Sequence, residues 1–269
     1  MSVLLSMFSY AFIRRALLVG ILVSLCAAVL GVSLVLKRYS MIGDGLSHVG
    51  FGALAVASAL HLAPLAVAVP VVVASAVLLL RLRSSSRVKG DSAIAIISSS
   101  ALAIGVIVLS LSRGMNKEVT SYLFGSILSL SKADTALSAA LSLAVLALFV
   151  FFYPRLFAIT FDENFARATG TKTDLYNTLL AVLTAITVVL GMRMMGALLI
   201  ASLLVFPALC AMKLCRSFRG VILCAAAISV LCFLLGMIAS YLLETPSGAS
   251  IVAADLLAFA VCSLAKKKN

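Results

Sequence analysis

The sequence from residue 41 to residue 52 reads MIGDGLSHVGFG and places an acid and an imidazole four residues apart. Residues at this spacing lie on one face of an α-helix, one turn apart, so Asp44 and His48 would present a carboxylate oxygen and an imidazole nitrogen together. Such a pair can bind one divalent cation. Alternatively, His48 caps the helix or satisfies a buried polar contact, with Asp44 as its partner. Taken alone, the pair leaves both interpretations open.

The composition around this motif excludes an ordinary soluble domain. Of the 269 residues, 64% are hydrophobic and 11% are charged, whereas globular chains carry about 25% charged residues. The long apolar runs are therefore typical of membrane spans. The net charge of +12 comes from short clusters between these runs, which favours cytoplasmic loops over a nucleic-acid-binding face. Ionisable groups among such spans are costly and usually face a bundle interior or a wet path.

Apolar runs bounded by polar residues predict one all-α, polytopic helical bundle in the lipid bilayer, with about nine transmembrane helices and eight as the alternative. We predict a single transmembrane domain over residues 1–269. A partial or re-entrant helix is predicted at residues 120–125. The predicted spans are residues 16–36, 41–60, 65–82, 93–112, 134–153, 176–192, 194–212, 221–243 and 250–264.

The distribution of basic residues between the spans predicts the orientation. Cytoplasmic loops carry an excess of lysine and arginine. With the N-terminus outside and the C-terminus inside, fifteen of the twenty-one Lys and Arg residues lie in cytoplasmic loops, and six lie outside. The reverse orientation would invert this ratio, so we predict the N-out, C-in arrangement.

The longest cytoplasmic loop contains the sequence FDENFARATG at residues 161–170. Asp162 is a favourable N-cap, Glu163 suits a helix N-terminus, and Gly170 suits the position just past a helix C-terminus. The loop is therefore predicted to form a short helix on the cytoplasmic face. Such a helix would suit the docking of another protein, and it would equally suit a plain amphipathic connector.

Several blocks of the sequence, taken together, resemble the membrane permeases of bacterial ABC importers for zinc, manganese and related divalent metals. The first block, residues 43–48, is close to the family's usual L-G-D-A-L-S-H, with Gly45 in place of the commoner alanine. The blocks follow the family order over nearly the whole chain. The remaining blocks are residues 91–94, 161–170, 196–208, 240–241 and 246–248.

This resemblance implies a multi-pass protein of the bacterial cytoplasmic (inner) membrane that imports zinc and/or manganese, with iron as a further candidate. It also implies three partners: a cytoplasmic ATP-binding subunit, an extracytoplasmic metal-binding protein, and a second permease copy, identical or related. In the family, the Asp and His of the D-x-x-x-H motif are implicated in the cation path, which here means Asp44 and His48. Residues 163–170 are similar to the E-A-A…G element that contacts the ATPase.

The resemblance therefore makes Asp162, Glu163, Ala166 and Gly170 the expected ATPase-coupling residues. We expect no enzymatic activity from this chain, because it contains no G-x-x-x-x-G-K-[ST] motif for ATP hydrolysis. We also expect no permanently bound cofactor, since the divalent metal is the transported substrate.

Two other functions compete with metal import by an ABC system. A proton-coupled secondary metal transporter would use Asp44, His48 and Asp255, but membrane acids are few and no inverted repeat is visible. A membrane-embedded metalloprotease would need H-E-x-x-H or a comparable catalytic pair, which the sequence lacks. Asp255, inside the last span, remains a further candidate for the path.

Three methionines, Met192, Met194 and Met195, cluster near a predicted outer loop. Thioether sulfurs are soft ligands, but methionine more often fills gaps in a core. We therefore predict that this cluster packs between helices.

Overall fold

Helices make up all the regular structure in the described part of the chain. The computed structural model describes residues 11–84, 90–112, 125 and 132–267. Within these ranges the chain forms eleven helices, which confirms the all-α prediction. They are α1 (Ala11–Leu36), α2 (Ser40–Ala59), α3 (Pro64–Ser84), α4 (Gly90–Leu111), α5 (Lys132–Phe151), α6 (Tyr153–Phe161), α7 (Glu163–Ala168), α8 (Thr173–Met195), α9 (Ala197–Leu214), α10 (Phe218–Leu243) and α11 (Ser247–Lys267).

Nine of these eleven helices correspond to the nine predicted spans. Seven of the nine are long and apolar enough to cross a membrane. The other two are α2, whose hydropathy is lowered by the polar residues of its motif, and α9, whose apolar part is the shorter stretch Leu199–Leu214. The chain is therefore a multi-pass membrane protein.

Some helix boundaries differ from the predicted spans by a few residues. Helix α1 already includes Ala11, so Arg14 and Arg15 lie within it and not before it. Helix α8 continues through Arg193, a good helix former, which pairs with Asp134 on α5. The predicted re-entrant helix at residues 120–125 lies outside the described residues, except for its last residue.

Helices α1 and α8 form the centre of the bundle, where 67% and 72% of their apolar stretches are buried. Helix α2 packs beside them and lies very close to α4. A Cβ atom on Gly52 would lie 2.6 Å from the carbonyl oxygen of Ala101, and one on Gly45 would lie 2.6 Å from Cγ2 of Ile94. Small residues allow such close approach of membrane helices. The glycines of the motif thus fix α2 against its neighbour.

Contacts between distant segments agree with the predicted sidedness of the loops. Arg193, at the end of α8, forms a two-pronged ion pair with Asp134, at the start of α5, with distances of 2.9 and 3.0 Å. Both ends are predicted to lie outside. Lys213, at the end of α9, donates to the Ser263 hydroxyl on α11 at 2.7 Å, and both are predicted to lie inside. Which side is cytoplasmic remains a prediction from loop charge.

Candidate metal site and cytoplasmic segment

The Asp44/His48 pair lies in the first turns of α2, which begins at Ser40. As the spacing predicts, the two side chains meet: His48 Nε2 lies 3.8 Å from Asp44 Oδ2. The Asp44 side chain is 45% exposed and the His48 side chain 22% exposed. The carboxylate is therefore the more exposed of the two groups, and the imidazole is more deeply buried.

The other imidazole nitrogen, Nδ1 of His48, is buried and has no hydrogen-bond partner among the described residues. Buried polar atoms are nearly always satisfied, and an ion or a water is an ordinary partner for one that is not. Within the described ranges, no cluster of three or more His, Cys, Asp or Glu side chains could hold a metal. The pair thus offers one oxygen and one nitrogen ligand, which leaves coordination positions for water or another chain.

Ser47 lies within the same turn of α2 but has a different role. Its hydroxyl donates to the main-chain carbonyl of Asp44 at 2.7 Å, and the residue is fully buried. A serine hydroxyl that bonds back to its own helix is a common local arrangement. The Ser47 hydroxyl therefore bonds within its own helix and is not directed at a ligand.

The candidate in the last membrane span, Asp255, is buried. Asp255 is 1% exposed on α11. Its Oδ2 accepts from the Ser202 hydroxyl on α9 at 3.4 Å, while Oδ1 lacks a partner within the described ranges. The structure thus places Asp255 against α9.

The methionine cluster packs in the core where its side chains are described. Met192 is 0% exposed and Met195 is 3% exposed. The Met192 methyl group lies 2.6 Å from the position that a Cβ on Gly50 would occupy. Met192 therefore fills the space that a glycine of the motif leaves, and the packing prediction is confirmed for these two residues.

On the predicted cytoplasmic side, α7 has the ends that the sequence predicts. The Asp162 side chain caps it by accepting from the main-chain N–H of Phe165 at 2.9 Å. Past its end, Gly170 has a φ of +84°, and its N–H donates to the Arg167 carbonyl at 3.1 Å. This backbone conformation favours glycine. Local interactions therefore define both the start and the end of the six-residue helix.

The two faces of α7 differ in exposure. Ala166 is 1% exposed and packs against its own chain, whereas Phe165 is 66% exposed. An outward phenylalanine on a short surface helix is an anchor type favoured at protein interfaces. Sequence reasoning missed Phe165, because a helix of less than two turns has no periodicity that identifies its outer face.

Glu163, the first residue of α7, binds a buried lysine that sequence reasoning had counted only as a loop charge. The Lys37 side chain is 5% exposed, and its Nζ donates to Glu163 Oε2 at 3.0 Å and to Asn177 Oδ1 at 2.8 Å. A third bond goes to the main-chain carbonyl of Ile159 at 2.9 Å. These partners lie 122 to 140 residues from Lys37 in sequence, so no local pattern indicates them.

Comparisons with known proteins agree with this architecture. The High-affinity zinc uptake system membrane protein ZnuB of Haemophilus influenzae is 31% identical over 254 residues, which cover 94% of this chain and 97% of that protein. The Manganese import system permease protein ScaB of Streptococcus gordonii is 28% identical over 252 residues, 94% of this chain and 90% of that protein.

A solved structure and a family profile cover nearly the whole chain. The structure described as PsaBC from Streptococcus pneumoniae in complex with Fab has a TM-score of 0.88 and 28% identity, over 97% of this chain and 94% of that one. The sequence profile of the ABC 3 transport family matches residues 9–266. This chain therefore belongs to the ABC 3 transport family.

Proposed function

We propose that the chain is the permease subunit of an ABC importer that carries a divalent metal cation across the bacterial cytoplasmic membrane. Family membership supports the transport class, and the roles printed for its relatives support zinc, manganese or iron as the cation. The observation that carries the proposal is the Asp44/His48 pair, in which a carboxylate oxygen and the imidazole Nε2 lie 3.8 Å apart at a partly exposed position. The family assignment does not favour the proton-coupled alternative.

The chemistry of the pair suits a passing cation. Mixed oxygen and nitrogen ligation suits Zn²⁺ and Mn²⁺. The Asp44 carboxylate supplies negative charge where a divalent ion loses its water, and its exposure of 45% leaves it open to a wet path or a second permease copy. A pore site must bind weakly enough to release its ion. Two ligand groups from one chain meet that requirement better than a complete cage.

Transport of this kind requires partners, and we propose α7 as the place where one of them docks. The cytoplasmic ATP-binding subunit contacts α7, where Ala166 seats the helix and Phe165 faces outward. An extracytoplasmic metal-binding protein delivers the cation from the other side. A second permease, identical or related, covers the exposed side of the motif.

The proposal is tested by metal uptake in cells that lack the native permease and carry Asp44→Asn or His48→Ala. Asp44→Asn keeps the shape but removes the charge, and His48→Ala removes the nitrogen ligand. Loss of a contact to a charged group costs about 1.5–3 kcal/mol, or about a ten- to hundredfold lower uptake rate. Membrane protein level and ATPase association should remain normal.

Ser47→Ala is the matched control, because it changes the same turn of α2 without removing a ligand atom. It should keep uptake near that of the parent. If Asp44→Asn and His48→Ala both transport metal at the parent's rate, the pair has the structural role and the proposed site is wrong. Uptake assays with zinc, manganese and iron offered separately identify the transported cation.

A further inference from the structure

The strongest polar contact network in the described ranges, outside the metal motif, surrounds the end of α1. An ammonium group carries three N–H donors, and Lys37 Nζ has three acceptors at 2.8 to 3.0 Å. Each acceptor belongs to a different helix: Ile159 to α6, Glu163 to α7 and Asn177 to α8. Asn177 Nδ2 also donates to Glu163 Oε1 at 2.9 Å, which closes the network. Helix α7 is thus hydrogen-bonded to the residue that follows the end of α1.

Lys37 is also part of the connector that leads directly to the metal motif. The three residues 37–39 join α1 to α2. Arg38 has a φ of +58°, its N–H donates to the Val35 carbonyl at 3.0 Å, and the Tyr39 N–H donates to the Leu34 carbonyl at 2.7 Å. This is the arrangement that ends a helix with a sharp, hydrogen-bonded turn. The connector between α1 and α2 is therefore short and held by hydrogen bonds.

The distance from this connector to the metal motif is short. Helix α2 begins at Ser40, and Asp44 lies about 6 Å further along its axis at 1.5 Å per residue. The glycine contacts of α2 with α4 involve Gly45 and Gly52, so Asp44 lies between the connector and the part of α2 that packs closely on α4. A displacement at residues 37–39 is thus carried to Asp44.

We propose that Lys37 is a positioning residue that transmits movement of α7 to the Asp44/His48 motif. The inference rests on the proposed function, in which the ATPase contacts α7. When α7 moves, Lys37 moves with it, because a buried ammonium that loses its carboxylate partner is strongly destabilised. Movement of Lys37 shifts the connector and, through it, the first turns of α2. ATP binding to the subunit that contacts α7 thereby changes access to the Asp44/His48 site.

The test uses the permease reconstituted with its ATPase and binding protein in liposomes, with metal uptake and ATP hydrolysis measured together. Lys37→Met keeps the length of the side chain but removes its charge and donors. We expect metal transported per ATP hydrolysed to fall about tenfold, which is within the usual range of coupling between sites. ATPase binding should change little, whereas thermal stability in detergent should fall, because the acceptors around a buried ammonium group lose their partner. Lys213→Met is the matched control, since Lys213 pairs with Ser263 elsewhere on the cytoplasmic side.

A second variant keeps the proposal testable if Lys37→Met fails to fold. Glu163→Gln preserves the shape of the acceptor and removes its charge, and it should show the same uncoupling. If both residues act through one contact, the double variant should lose no more coupling than either single variant. Parent-like coupling in Glu163→Gln, or in a folded Lys37→Met, would overturn the proposal.

A direct readout of α2 separates transmission from a merely structural role. Met41, at the start of α2, is 56% exposed, so a cysteine placed there can be alkylated and quantified by peptide mass spectrometry. With Lys37 present, its alkylation rate should differ with and without ATP, and Lys37→Met should abolish that difference. A nucleotide-independent rate in the parent contradicts the movement of α2. Failure of the parent to transport any metal would instead refute the proposed function.

Discussion

Phe165 gives a quantitative prediction about the proposed docking surface for the ATPase. A fully covered phenylalanine side chain buries about 200 Å². With 66% of Phe165 exposed, about 130 Å² is available to a partner, worth about 3 kcal/mol at 25 cal/mol per Å². Alanine would keep part of this contact. We therefore expect Phe165→Ala to cost about 2 kcal/mol of binding, or about thirtyfold in dissociation constant.

The assay is a titration of the purified ATPase subunit against the permease in nanodiscs. Phe151→Ala is the control, because Phe151 is 76% exposed but lies in the last turn of α5 and not on α7. It should bind the ATPase like the parent. An unchanged affinity for Phe165→Ala, or an equal loss for both variants, would show that α7 does not provide the specific contact. A substitution at Ala166 would not test the same contact, because a larger side chain there disturbs the packing of α7 against its own chain.

Two further predictions concern orientation and helix packing. In sealed cells, a membrane-impermeant thiol reagent should label Thr245→Cys and leave Lys172→Cys protected; the opposite pattern would reverse the N-out orientation. Gly52→Ala should lower the melting temperature in detergent more than Gly45→Ala, because the new Cβ would meet the backbone of α4 in the first case and the movable end of an isoleucine side chain in the second. Overpacking costs about 1–3 kcal/mol, so equal melting temperatures would argue against the close α2–α4 contact.

Local sequence patterns were sufficient for the helices and for the ends of α7. Apolar runs of membrane length predicted the nine long helices, since the residues of each span are contiguous in the sequence. Asp162 and Gly170 act within a few residues of their own positions, so capping rules predicted both. The Asp44/His48 contact was equally accessible, because helical spacing alone brings the two side chains together.

Contacts between distant parts of the chain could not be predicted from local sequence patterns. Arg193 looked like a loop residue, but it lies within α8 and pairs with Asp134, 59 residues away. The outward direction of Phe165 depends on how α7 sits on the bundle. The buried network of Lys37 combines segments that are 122 to 140 residues apart. Such partners are determined by tertiary packing and leave no periodic signal.

The loop-charge rule treats Lys37 like every other basic residue. An experiment can therefore separate its contribution to the orientation of the protein from its proposed contribution to coupling. Removing its charge changes the predicted distribution from fifteen inside and six outside to fourteen and six. That difference is too small to reverse the orientation. The same substitution removes all three hydrogen bonds of a buried ammonium group. A coupling defect in Lys37→Met with normal orientation must therefore come from the lost contacts of its ammonium group, and not from an altered topology.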